Sequence, residues 1–109
     1  MALRLYLLQR LTAALMVPLI AVHIWLIYYA TTDGLSAADI LSRTRGSPGW
    51  ATFYGAFVIL VSIHAAIGVR GVLADWSRLD EPGLDCVAWL AGILLMTMGF
   101  RAVGAVVLP

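Results

Sequence analysis

The stretch from Trp50 to Trp76 constrains this chain most, because about twenty consecutive residues in it are almost wholly apolar. A run of that length spans the hydrocarbon core of a bilayer as a helix. The imidazole of His64 lies deep inside the run, and an ionisable residue in a membrane helix is by default a functional candidate. The sequence therefore predicts a spanning helix with a histidine near its middle.

One face of that helix has the features of a binding surface. Gly68, Gly71 and Asp75 each lie within about 40° of His64 around the helix at about 100° per residue. The face carries a histidine, then two positions without side-chain bulk, then a carboxylate near the membrane edge. A flat cofactor can lie against Gly68 and be held by His64. The alternative is a neutral imidazole hydrogen-bonded to a neighbouring helix.

Two further apolar segments indicate that the whole chain is an integral membrane protein. The three segments cover roughly residues 5–30, 50–74 and 84–108, and each is long enough to span a bilayer. Each must be helical, because lipid tolerates no open sheet edge. The 109 residues are 62% hydrophobic and 12% charged, which excludes a water-soluble domain, and no basic cluster suggests nucleic acid. We expect one all-α domain over 1–109, with three transmembrane helices, as part of a multi-subunit helix bundle.

The linkers predict how these helices are connected. Ser36 followed by Asp39 indicates a capping box, with Asp in place of the usual Glu, and a short amphipathic surface helix over Ala37–Ser42. Pro82-Gly83 is typical of a turn, so the second and third spanning helices are expected to be antiparallel neighbours.

Small residues in the third apolar segment predict a packing seam. Gly92 and Gly99 are seven residues apart and share one helical face, which favours close approach of another helix. Cys86 is the only cysteine, so it forms no internal disulfide, and we expect it to be a small buried hydrophobe.

Orientation follows from the arginines, which are the only basic residues apart from histidine. Four lie at the N-terminus or in the second linker and three on the other side, which favours a cytoplasmic N-terminus. The first group is Arg4, Arg10, Arg70 and Arg78; the second is Arg43, Arg45 and Arg101. The first apolar segment is too long for a signal peptide and no cleavage site follows it, so we expect residues 1–30 in the mature protein.

His23 in the first helix is the second candidate ligand. Two histidines from facing helices commonly hold a haem b iron. At about 1.5 Å per residue, however, His23 and His64 differ in depth by on the order of 10 Å, which makes them poor ligands for one iron. Three alternatives remain: His64 takes its second ligand from another subunit, His23 serves a second haem, or His23 is a packed, hydrogen-bonded side chain. The last is favoured for His23.

Polar residues near the predicted cytoplasmic edge can recognise an oxygen-rich ligand. Arg10 is suited to an anion or carbonyl, such as a haem propionate or quinone oxygen, although it can instead snorkel to lipid phosphates. Asp75 and Trp76 lie on the same side of the membrane and supply a carboxylate and an indole N–H. A solvated helix end is the simpler interpretation of Asp75.

Two motifs together resemble the membrane-anchor subunits of succinate dehydrogenase and fumarate reductase. QRLTAALMVPL is similar to their first helix, and HAAIGVRGVLADW is similar to the H-x-x-x-G-x-x-x-x-x-x-D-Y/F segment of their second. The first motif looks more like the small hydrophobic anchor, and the residues around Arg70 look more like the cytochrome b subunit. Trp76 stands where the family has tyrosine, and His23 has no counterpart in the single-haem pattern.

The resemblance implies a role in electron transfer to or from quinone. Two such subunits would pair and hold haem b between them, with His64 as one axial ligand and Arg10 near the propionates. Asp75, Trp76 and Arg10 would border a site for ubiquinone or menaquinone beside an iron–sulfur subunit, which joins a flavoprotein subunit. The expected location is the bacterial inner membrane. Alternatives are a cytochrome b subunit of a hydrogenase or formate dehydrogenase, a haem-free anchor, or a non-redox membrane protein.

Overall fold

A computed structural model describes residues 3–109, which fold into four helices and no strand. They are α1 (Leu3–Thr32), α2 (Ala37–Thr44), α3 (Pro48–Trp76) and α4 (Glu81–Val107). By length and composition α1, α3 and α4 can each cross a membrane. The predicted all-α membrane architecture with three spanning helices is thus confirmed for the described residues, and the bundle measures 49 × 23 × 22 Å.

The connection between α3 and α4 differs in one detail from the expectation. Pro82 and Gly83 belong to the first turn of α4 rather than to a turn before it. The carboxylate of Asp80 caps this helix by accepting a hydrogen bond of 3.0 Å from the Gly83 N–H. A proline in the first helical turn costs no hydrogen bond there, which is why the helix starts early. The antiparallel arrangement of α3 and α4 is as predicted.

Helix α3 is the centre of the bundle and packs against both other spanning helices. A Cβ atom on Gly92 would lie 3.4 Å from the Cβ of Ala66, and one on Gly99 would lie 2.5 Å from Cγ1 of Val58. The glycine seam predicted for α4 is therefore confirmed, and α3 is the helix that packs into it.

The expectation that Cys86 is buried is wrong, because this side chain is exposed. At about 100° per residue it lies some 120° away from the line of Gly92 and Gly99 that faces α3. The exposure is typical of the chain: among the described residues only Ile67, Leu84 and Val107 are fully buried hydrophobic side chains. Much apolar surface is left for lipid or for other helices.

Helix α2 closes the end of the bundle at which α1 and α4 end and α3 begins. Ser36 and Asp39 form the predicted capping box, and the helix extends slightly beyond the expected Ala37–Ser42. The hydroxyl of Thr44 donates a hydrogen bond of 2.6 Å to the carbonyl of Val106, which ties α2 to the end of α4. We refer to this end as the α2 end and to the other as the Asp75 end.

Candidate functional site

The imidazole of His64 meets a buried hydroxyl of α1. Its Nδ1 lies 3.2 Å from Oγ1 of Thr12, which is only 2% exposed. The same hydroxyl oxygen lies 2.9 Å from the carbonyl of Leu8 and 3.0 Å from that of Gln9. His64 thus faces α1, and one of its nitrogens has a protein partner on that helix, which is the arrangement given as the alternative to ligand binding.

The other ring nitrogen of His64, Nε2, has no hydrogen-bond partner in the part of the chain that the structure describes. The residue is half-buried, and Nε2 is not fully enclosed by the described residues. Residues 3–109 contain no group of three or more His, Cys, Asp and Glu side chains that could hold a metal ion. Haem iron takes a single imidazole nitrogen as an axial ligand because the porphyrin supplies four further nitrogens, so the Nε2 donor of His64 fits haem.

Gly68 lies one turn from His64 and also faces α1. A Cβ atom at this position would lie 3.4 Å from Nε2 of the Gln9 side chain, so the space beside the glycine holds a flexible amide. The Gln9 oxygen Oε1 is buried without a partner among residues 3–109. A flat cofactor against Gly68 would have to move the Gln9 amide, whose oxygen has no hydrogen bond to lose among residues 3–109.

His23 lies away from His64. Its ring packs edge-on against Tyr54 and Phe57, with ring centroids 6.2 and 5.5 Å apart. Phe57 precedes His64 by seven residues, which is about 10 Å along α3. The two histidines therefore do not meet at one level. His23 is packed, as favoured, but its Nδ1 is buried with no hydrogen-bond partner in the described chain.

Cavities lie beside α3 toward both ends of the bundle. Two of them are lined in part by His23 and lie toward the α2 end, with volumes of about 560 and 580 Å³. Another, of about 370 Å³, is lined by Arg70, Asp85 and Trp89 toward the opposite end. Ser62 lines both this cavity and the one of about 560 Å³, is 2% exposed, and keeps a hydroxyl without a partner among the described residues.

Arg10 and the pair Asp75-Trp76 lie on the same half of the bundle but at different depths. Because Thr12 meets His64 and Gln9 meets Gly68, Arg10 lies level with the His64–Gly68 turn. Asp75 is seven residues beyond Gly68, or about 10 Å further along α3.

The surroundings of these residues differ as well. Arg10 is exposed, and its guanidinium lies 5.5 Å from the ring centroid of Tyr6. Asp75 is exposed and Trp76 is 85% exposed. Within residues 3–109 neither makes a side-chain hydrogen bond or an ion pair. The edge pair is open to a ligand or partner, and Arg10 is closer in depth to His64 than to Asp75.

Sequence inspection missed two contacts. Thr12 is a single hydroxyl in an apolar segment, two residues after Arg10, and only the packing of α1 against α3 shows that it meets His64. Arg70 entered the sequence analysis only through the orientation count and the helix motif, yet it bonds to Glu81 at 2.5 Å and to Asp85 at 2.8 Å. The acidic residues at the start of α4 were the available signal for this contact.

These features define a polytopic membrane protein in which a histidine of the central helix α3 faces α1. Residues 2–100 match the family of succinate dehydrogenase/fumarate reductase transmembrane subunits, and the chain belongs to that family. This confirms the resemblance found in the helix motifs.

A curated relative agrees with the family. The chain is 31% identical over 70 residues to the succinate dehydrogenase hydrophobic membrane anchor subunit of Archaeoglobus fulgidus. The aligned part is 64% of this chain and spans 59% of that relative's length. No solved structure matches the chain.

Proposed function

We propose that this subunit contributes His64 as one axial ligand of a haem b and helps to form a quinone site in a succinate:quinone oxidoreductase. The observation that carries the proposal is the half-buried imidazole in α3, whose hydrogen-bond contact among the described residues is made by Nδ1 and leaves Nε2 without one. When bound, haem b would accept and return single electrons. The complex would pass electrons from its iron–sulfur subunit to ubiquinone or menaquinone, or run in reverse.

The second axial ligand comes from another polypeptide in this proposal. His23 supplies no ligand at the depth of His64, because its ring packs against Phe57 about 10 Å away along α3. The wide exposure of large apolar side chains, such as Trp89 and Leu94, leaves room for the helices of a second anchor or cytochrome b subunit. The haem b would lie at the interface with that subunit, with Gly68 beside its edge.

The quinone would bind at the Asp75 end. The exposed carboxylate of Asp75 can hold or release a proton beside a quinone oxygen, and the indole N–H of Trp76 can donate a hydrogen bond but cannot accept one. Arg10, level with His64, suits the negatively charged edge of the haem, such as a propionate, and can extend toward the quinone.

The subunit would lie in the plasma membrane with its N-terminus on the cytoplasmic side. The expectation from the sequence is a bacterial membrane. The start of α1, the end of α3 and the start of α4 share that side. The iron–sulfur subunit would dock there, with the flavoprotein subunit bound to it, so that electrons arrive next to Asp75 and Trp76.

The haem assignment is tested by His64→Ala in the assembled complex, with His23→Ala as the matched control. We expect His64→Ala to remove or strongly deplete the b-type haem, measured as the reduced-minus-oxidised spectrum per complex. His23→Ala should keep the spectrum, because its ring lies at another depth. A normal spectrum in His64→Ala would refute the ligand assignment, and loss only in His23→Ala would reverse it.

The quinone assignment is tested by comparing two electron acceptors. Asp75→Asn and Arg10→Ala should lower activity with quinone more than activity with a soluble dye, because only quinone uses the membrane site. Asp33→Asn and Arg101→Ala at the α2 end are the matched controls and should leave the ratio unchanged. An equal loss with both acceptors would contradict a quinone role for Asp75 and Arg10.

A haem-free anchor is the second candidate, and one observation favours it. Thr12 gives His64 a protein partner at 3.2 Å, so the imidazole has a packing role without any cofactor. This candidate predicts a purified complex without haem absorbance that nevertheless retains its flavin and iron–sulfur subunits. The spectrum of the wild-type complex decides between the two.

A further inference from the structure

We propose that Thr12 is a positioning residue, which holds His64 as the Nδ1–H tautomer and keeps Nε2 unprotonated for a metal. The inference deepens the proposed function and rests on it for the identity of the metal group. It follows from the hydrogen bonds that the buried hydroxyl of Thr12 can donate and accept.

Thr12 has one hydroxyl proton and three neighbours that compete for it. The carbonyl oxygens of Leu8 and Gln9, at 2.9 and 3.0 Å, can only accept a hydrogen bond. When the proton goes to either carbonyl, the hydroxyl oxygen can only accept from the third neighbour, Nδ1 of His64 at 3.2 Å. That nitrogen must then carry the ring proton. A neutral imidazole has one N–H, so Nε2 keeps its lone pair.

Burial keeps this arrangement in place. Thr12 is 2% exposed, so water does not compete for its hydroxyl. A β-branched threonine in a helix has few rotamers, and the one seen here directs Oγ1 back to the preceding turn of α1. The ring of His64 is therefore oriented from a neighbouring helix through a fixed hydroxyl.

A hydrogen-bond partner on the non-ligating nitrogen affects how a histidine binds its metal. A donated Nδ1–H bond fixes the ring orientation and raises the basicity of Nε2, which strengthens its bond to the metal. A more basic imidazole favours the oxidised, more positively charged iron. Loss of the hydroxyl should therefore weaken haem retention and shift the midpoint potential to a more positive value.

The test compares three variants in the assembled complex. Thr12→Val keeps the shape and removes the hydroxyl, and Thr12→Ser keeps the hydroxyl and removes the methyl group. Thr31→Val is the matched control, because Thr31 in the same helix also bonds to the carbonyls three and four residues before it but has no histidine partner.

We expect Thr12→Val to lower haem affinity by roughly tenfold or more and to raise the midpoint potential of the haem that remains. Thr12→Ser should restore both values, and Thr31→Val should match the wild type. An unchanged potential and haem content in Thr12→Val would overturn the inference. Equal defects in Thr12→Ser and Thr12→Val would also overturn it, because packing of the methyl group would then be responsible.

The failure of this inference can be told apart from failure of the proposed function. If His64→Ala keeps the haem spectrum, the ligand assignment fails whatever Thr12 does. The tautomer is then checked by ¹⁵N NMR of the histidine-labelled complex. A protonated Nδ1 in the wild type that loses its hydrogen-bond shift in Thr12→Val supports the role of Thr12, and a protonated Nε2 overturns it.

Discussion

Helix α3 has two faces that differ in how completely this chain covers them. The α4 face is tightest at Gly99, where a Cβ atom would lie 2.5 Å from Cγ1 of Val58, and one on Gly92 would make ordinary van der Waals contact with Ala66. The α1 face carries His64 and Gly68, and a flexible glutamine amide lies beside the glycine. One face packs small residues against side chains, and the other packs polar groups that are only partly satisfied.

The difference distinguishes the face that stabilises the fold from the face on which the proposed ligand would bind. Close packing of small residues is how membrane helices associate, so the α4 face stabilises the chain itself. Unpaired polar atoms inside a bundle cost free energy, and two of the three found among the described residues, Gln9 Oε1 and His23 Nδ1, belong to α1, while the third, Ser62 Oγ, lies on α3. A chain tolerates that cost more readily where a cofactor or a partner subunit later satisfies these groups.

The largest expected effect is that of Gly99→Ala. The new Cβ would lie 2.5 Å from Cγ1 and 2.9 Å from Cγ2 of Val58, so the backbones of α3 and α4 must separate. Overpacking of this kind lowers the free energy of unfolding by about 1–3 kcal/mol. Thermal unfolding of the complex in detergent measures the loss.

Gly68→Ala is the matched control on the other face. Its Cβ would lie 3.4 Å from the end of the flexible Gln9 side chain, which can turn away. We expect the unfolding midpoint to change much less than in Gly99→Ala. Equal destabilisation by both substitutions would show that the two faces are packed alike and would break the comparison.

A smaller effect is expected for Arg70→Gln, which cuts the polar link between α3 and α4. Arg70 bonds to Glu81 and Asp85, whose side chains are 79% and 60% exposed. Because exposed ion pairs are weak and screened by salt, the loss of thermal stability should be modest and should shrink at high salt. Arg78→Gln, outside any helix, is the control. A loss that does not depend on salt would contradict an ion-pair role.

The smallest effect concerns α2, which touches neither face of α3 near the histidine. Hydrogen bonds from the backbone N–H and the hydroxyl of Ser36, with help from Arg43, lower the pKa of Asp39 below its ordinary value of 3.8. A lowered pKa in the folded state means that the capping stabilisation is present above 3.8 and is lost as the pH falls through the lower, folded value.

The mobility of a spin label on exposed Ala38, in a Cys86→Ser background, measures this loss. Mobility should rise as the pH falls below 3.8, and Asp39→Asn should abolish the pH dependence. The haem spectrum should not follow the same titration. A spectrum that changed together with α2 would mean that the two regions are coupled.

Much of the fold could be predicted from residue types, and much of the site could not. The three spanning helices, the Ser36–Asp39 capping box and the glycine seam follow from local patterns, because hydropathy, helix caps and small residues act over a few turns. The start of α4 was misplaced, since Pro82 is compatible with a turn and with a first helical turn alike. Cys86 was misplaced because its residue type is usually buried, although the predicted line of Gly92 and Gly99 lies some 120° away from it around α4.

The contacts of the candidate site depend on how α1 lies against α3. The His64–Gly68 spacing marks the face, but its partners Thr12 and Gln9 are more than fifty residues away in the chain. Thr12 meets His64, and Gln9 meets Gly68, because of the depth in the bundle at which α1 crosses α3. The family assignment agrees with the motifs, and the roles of His64, Arg10 and Asp75 stay predictions.

A density map of the purified complex, resolved well enough to orient the imidazole of His64, is the most direct measurement. The account predicts that Nε2 of His64 lies at coordination distance from a haem iron shared with a second subunit, while Nδ1 stays hydrogen-bonded to the hydroxyl of Thr12. A ring that contacts only neighbouring side chains, or one that binds iron through Nδ1, would contradict it.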